Sequence, residues 1–105
     1  MIYFPDYKYL KDIGLDTKDR IAILLTQKSY GLGGWRQVAN KYGMDLLIIK
    51  HLENHPEPGE KTLDYLHASN PDLTVYDFCK TLKEHNIRRI DIVSELQGHL
   101  SVPSS

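Results

Sequence analysis

The stretch that most limits what this chain folds into is Gly34-Trp35-Arg36-Gln37-Val38-Ala39-Asn40-Lys41-Tyr42-Gly43. Trp35, Val38, Ala39 and Tyr42 stand at i, i+3, i+4 and i+7, the repeat that puts four apolar side chains on one stripe of a short helix. Arg36, Gln37, Asn40 and Lys41 fall on the opposite face. Gly43 is suited to the left-handed conformation that ends such a helix, and Asp45 to the capping position of the next one. This pattern predicts a tight helix–corner–helix unit with the Trp35 ring as a buried core anchor.

Helical signals dominate the rest of the chain, and no strand pattern competes with them. Asp16 is the expected cap of a first helix, with Ile21, Leu24 and Leu25 as its buried stripe, ending before Gly31. The third helix, from Asp45 to about Glu53, carries Leu46, Leu47, Ile48, Ile49 and Leu52. It is apolar nearly all round, so it either sits in the middle of a bundle or exposes a sticky surface. His55-Pro56-Glu57-Pro58-Gly59 reads as a break, since the residue before proline avoids the helical region. A fourth helix then runs to about Ala68 with Leu63 and Leu66 facing inward. After the Asn70-Pro71-Asp72 turn, Thr74-Val75-Tyr76-Asp77 resembles a capping box. Val75, Phe78, Cys79 and Leu82 repeat the helical spacing, and Asn86 ends that helix. A last helix from about Arg88 uses Ile90, Val93 and Leu96, with Gly98 as its stop. The aromatic start (Tyr3, Phe4, Tyr7, Tyr9, Leu10, Ile13) is expected either as an extended arm across the bundle or as a short extra helix. The fold class is therefore all-α, with 1–15 as an aromatic arm, 16–100 as the helical domain and 101–105 as a flexible tail.

A length of 105 residues suffices for one core without disulfides or metal. The 41% hydrophobic and 26% charged content is that of an ordinary globular domain, and the formal net charge of -1 supplies no bulk attraction to nucleic acid or anionic lipid. Cys79 is the single cysteine, which excludes an internal disulfide framework and makes a reducing, cytoplasmic setting the expectation. No apolar run approaches a membrane span, and Met1-Ile2-Tyr3-Phe4-Pro5 lacks the features of a signal peptide.

Residue types that carry chemistry are present, but not in the patterns chemistry needs. Cys79 lies on a buried stripe, where a thiol behaves as a small apolar residue and not as a nucleophile. Gly31-Leu32-Gly33-Gly34 follows a helix and lacks the Lys-Ser/Thr of a phosphate loop, so it reads as a flexible connector. Glu57 and Glu60 lie in a polar segment with no sign of a pocket to raise a carboxyl pKa. His51 and His55 are four apart, but nothing completes a metal shell around them. Tyr3, Tyr7 and Tyr9 near Lys8 and Lys11 resemble a stacking surface for single-stranded nucleic acid, although covering a core edge is the simpler role. No enzyme activity, catalytic residue, metal or cofactor is expected.

Six short helices with a tryptophan opening the second resemble a death domain. The likeness covers roughly Asp16 to Gly98. Its carriers are the Trp35–Met44 block, similar to the family's W-x-x-L-A-x-x-L-G with Val38 and Tyr42 in place of leucines, and the closing Leu82–Leu96 stretch with Arg89-Ile90-Asp91-Ile92-Val93. Tyr65-Leu66-His67 stands where many members carry a fourth-helix tryptophan, so the subfamily is not placed. The resemblance implies a six-helix antiparallel bundle with a Greek-key path. It also implies homotypic binding to other death domains in apoptotic or inflammatory signalling, within a receptor, a scaffold or contacts to neighbouring domains of a longer chain.

The charge pattern agrees. Between residues 28 and 50, Lys28, Arg36, Lys41 and Lys50 oppose only Asp45, whereas between 53 and 77 six carboxylates oppose only Lys61. The charges alone equally suit two solvated faces; with the resemblance, Arg36, Lys41 and Lys50 are expected to form one contact patch, and Glu57, Glu60 and Asp64 its complement on a neighbouring copy. The alternative is a helix-turn-helix DNA-binding unit, since Ala39, Gly43 and Ile49 have the offsets of that motif. Asp45, Leu46 and Leu47 after the turn are poor readers of base edges, and a basic footprint is lacking, so no nucleic acid partner is expected.

Overall fold

The computed structural model describes residues 9–27 and 32–100. Tyr3, Phe4, Tyr7, Lys8, Lys28, Gly31 and the 101–105 tail, named above, lie outside the described residues. Six α-helices follow a short 3-10 turn at Leu10–Asp12: α1 Leu15–Thr26, α2 Trp35–Lys41, α3 Leu46–Leu52, α4 Pro58–Ser69, α5 Val75–Leu82 and α6 Ile90–Leu100. No strand occurs among the described residues; a single antiparallel bridge joins Tyr9 to Thr74. The most extensive helix pairing is α1 against α4, followed by α5 with α6 and α1 with α6.

Local chemistry accounts for most boundaries. The Asp45 carboxylate accepts from the Leu47 amide at 2.9 Å, and the Thr74 hydroxyl accepts from the Asp77 amide at 3.1 Å, each satisfying a helix-start donor. Gly43 takes φ 79° after α2, as the sequence predicts. Several expected boundaries move. The cap of α1 is Gly14 (φ 89°), with Asp16 placed in the first turn, where its charge suits the helix dipole. Helix α6 continues through Gly98 to Leu100, since glycine lowers helix propensity without forbidding it. Helix α4 starts inside the expected break, with Pro58 at its first position, where a missing N–H costs nothing.

The main core draws on the N-terminal strap (Leu10, Ile13) and on every helix except α3, including Ile21, Leu25, Val38, Leu63, Leu66, Phe78, Leu82, Ile92 and Leu96. On α6 the inward positions are Ile92, Val93 and Leu96, while Ile90, expected inside, is more than half exposed. A second, smaller cluster of Ala39, Met44, Ile49 and Leu52 sits under the α2–α3 corner. Trp35 and Tyr65 pack against both clusters. Trp35 is therefore a half-buried bridge between two cores and not the sealed anchor that its spacing predicts. The strap follows the 3-10 turn, and its Leu10 amide donates to the Leu73 carbonyl at 2.8 Å.

Candidate functional site

The expected basic patch is distributed over α2 and α3, and much of its charge is met within the chain. Arg36 Nη1 lies 2.6 Å from the Glu53 carboxylate, with Lys50 Nζ 4.0 Å from the same group. Lys41 Nζ lies 3.0 Å from Glu84, beyond the sequence window that made the patch look uncompensated. On the acidic side, Asp64 receives Lys18 Nζ at 2.7 Å. Glu57 and Glu60 carry no ion pair among the described residues. Of the six residues proposed from sequence, Lys50, Glu57 and Glu60 thus keep the most unspent charge.

Two surface features stand beside those charges. Helix α3 buries only Ile49 and Leu52, and it turns Leu46, Leu47 and Ile48 outward at 62%, 77% and 44% exposure. Of the two placements open to this helix, the structure has the sticky surface. Lys50 and His51 share that exposed side. On α1 and the start of α4, a groove of about 410 Å³ is lined by Ala22, Ile23, Thr26 and Pro56, with Asp19, Glu57 and Glu60 around it. Ile23 is 57% exposed there. Gly59 permits this pairing: a Cβ on it would run into the Ala22 carbonyl and stand 2.6 Å from Thr26 Oγ1, which instead accepts from the Gly59 amide at 3.0 Å.

A wider, open groove of about 830 Å³ runs past Trp35, between the end of α1, the start of α2 and the end of α3. Leu32 and Leu25 supply its apolar lining, and Arg36, Glu53 and Asn54 its polar side. Beside it sits the residue that sequence reasoning missed most completely. Arg89 is 1% exposed, and its guanidinium donates to Leu24 O (2.6 Å), Gly33 O (3.0 Å) and both carboxylate oxygens of Asp91 (3.0 Å each). The hydrogen bonds from Arg89 hold the Asp91 carboxyl below its ordinary range. Gly33 is buried against the α5–α6 turn, donating to Ile87 O at 2.9 Å, and a Cβ there would stand 2.9 Å from Asn86 O and Ile87 Cα. The described part of the glycine segment is therefore a packed joint, not a flexible connector.

The chemical groups considered from sequence stand apart. Burial raises the Cys79 thiol to about 11, against the weaker pull of Lys83, which suits a packing role. Burial also raises the Tyr42 phenol, opposed by its 2.8 Å bond with the Thr81 hydroxyl. His55 lies beyond the end of α3, where its Nδ1 accepts from the Glu57 amide at 2.9 Å. Among the described residues no group of three or more histidine, cysteine or carboxylate side chains is placed to hold a metal. No described helix is long and apolar enough to cross a membrane. Comparison with family models, with curated proteins and with solved structures gives no match for this chain.

Proposed function

We propose that this domain is a non-enzymatic protein–protein interaction module with a death-domain Greek-key path, assembling signalling complexes by contact with other death domains, copies of itself included. The observation that carries the reading is the pair of unlike surfaces on one small bundle. One is the apolar α3 face with Lys50 beside it, and the other is the acid-rimmed groove between α1 and α4. Such surfaces complement each other between copies and not within one, so they build head-to-tail chains. Apolar burial supplies most of the affinity: a leucine such as Leu47 contributes roughly 1.5–3 kcal/mol when fully covered. Exposed ion pairs add only about 0–1 kcal/mol each, so Lys50, Arg36 and Lys41 against Glu57, Glu60 and Asp64 chiefly set orientation. A DNA-reading role fits less well, because the helix after the turn presents Leu46, Leu47 and Ile48 where base-edge hydrogen bonding is needed.

The test is sedimentation over a concentration series, alone and with a panel of purified death domains. The wild type should grow in mass with concentration or bind a panel member. Leu47→Glu and the double variant Glu57→Lys/Glu60→Lys should each stay monomeric, yet form a 1:1 pair when mixed, because each retains the surface that the other lacks. Assembly of either variant at wild-type strength would remove the assigned surfaces. A wild type that neither self-associates nor binds any panel member would remove the reading.

A further inference from the structure

We infer that the N-terminal strap is an acid-sensitive latch, in which charging of His67 beneath it releases residues 9–14 from the bundle. His67 sits in the last turn of α4, on a small half-open hollow of about 240 Å³ lined by Lys11, Ile13 and Gly14 of the strap and by Leu15 and Lys18 of α1. Its Nε2 is shut off from solvent and has no hydrogen-bond partner among the described residues. A proton added there would create a second cation near Lys18, whose Nζ is already committed to Asp64 at 2.7 Å. The groups facing the ring are Lys18 from α1, Lys11 and Asp12 from the strap, and Asp64 from α4 itself. Burial and Lys18 disfavour the imidazolium, and Asp64 and Asp12 oppose them without prevailing, so the pKa lies below its ordinary 6.5.

A histidine with a lowered folded pKa costs the closed state nothing above the unfolded value. Closure weakens as pH falls below about 6.5 and on through the folded pKa, because the open state takes the proton more readily. The strap is the element that yields. It is held by the Tyr9–Thr74 bridge, the Leu10 amide and two buried side chains, and Gly14 at φ 89° supplies a joint at its end. The other wall of the hollow belongs to the extensive α1–α4 pairing, which is far costlier to part.

Amide hydrogen exchange on the full chain, corrected for intrinsic rate, tests this between about pH 7 and about pH 5. Opening at the Leu10 amide should increase by up to about tenfold per pH unit across the titration, while Leu63 and Leu66 amides in α4 stay within about twofold. In His67→Gln the Leu10 response should vanish. A direct proton NMR titration of the wild-type imidazole should place its midpoint below 6.5. A midpoint at or above 6.5, an unchanged Leu10 amide in the wild type, or the same pH response in His67→Gln would each overturn the latch.

Discussion

Replacing Arg89 by methionine tests whether one buried guanidinium holds three parts of the chain together. Methionine roughly preserves the side-chain length, so the loss is mainly of hydrogen bonds and not of packing. Two main-chain acceptors, Leu24 O at the end of α1 and Gly33 O before α2, would lose their donor. Each such stranded group costs about 1–3 kcal/mol. The Asp91 carboxylate is 44% exposed and would be rehydrated, so its charge is not left uncompensated in the interior. The sum over the two carbonyls is about 2–6 kcal/mol. With a urea slope of about 2 kcal/mol/M, the midpoint should fall by roughly 2 M at neutral pH, followed by helical circular dichroism. Acid gives a second, independent readout. The Asp91 pKa is lowered by Arg89, so its contribution is fully present above the unfolded value of about 3.9 and is lost as pH falls through the folded value. The gap between wild type and variant should therefore narrow below about pH 4. A midpoint shift worth less than about 1 kcal/mol would refute the clamp, and a gap that stays constant into acid would refute its coupling to Asp91.

Two further substitutions probe the packing. Trp35→Ala should cost about 2–3 kcal/mol, below the ~3–5 of a fully buried tryptophan, because the ring is only partly buried; a thermal midpoint unchanged within about 2 °C would show that it does not join the two cores. Gly59→Ala gains about 1 kcal/mol of helix propensity but drives a methyl group into the Ala22 carbonyl, so net destabilisation of about 1–3 kcal/mol is expected, and a raised melting temperature would refute the close α1–α4 contact.

The helices themselves were legible because their causes are local. The spacing of Val75, Phe78, Cys79 and Leu82, and the caps at Asp45 and Thr74, depend on residues within one or two turns. What sequence reading missed depends on partners far along the chain. Gly33 looks like linker until the α5–α6 turn is brought against it, and Arg89 looks like a surface cation until two distant carbonyls converge on it. The interaction surfaces behave likewise. Lys41 and Asp64 looked uncompensated because Glu84 and Lys18 lie outside the windows in which the charge runs appear. The α3 ambiguity could be resolved only by knowing that a small second cluster needs no more than Ile49 and Leu52.

That economy bears on function. Helix α3 pairs extensively with none of the other helices, and the cluster beneath it is complete without Leu46, Leu47 or Ile48. Three adjacent apolar side chains on a water-facing helix raise the risk of aggregation and contribute nothing to the cores. A rule of local patterning broken without benefit to folding is expected where a surface has another use. The same corner is tied to the rest of the bundle through the half-buried Trp35 and Tyr65, with the Arg36–Glu53 pair closing its edge. A partner covering Leu47 would add apolar contact to a helix that pairs extensively with no other. Binding should then protect α3 amides more than those of α1 or α4, which separates docking on this face from general stabilisation of the fold.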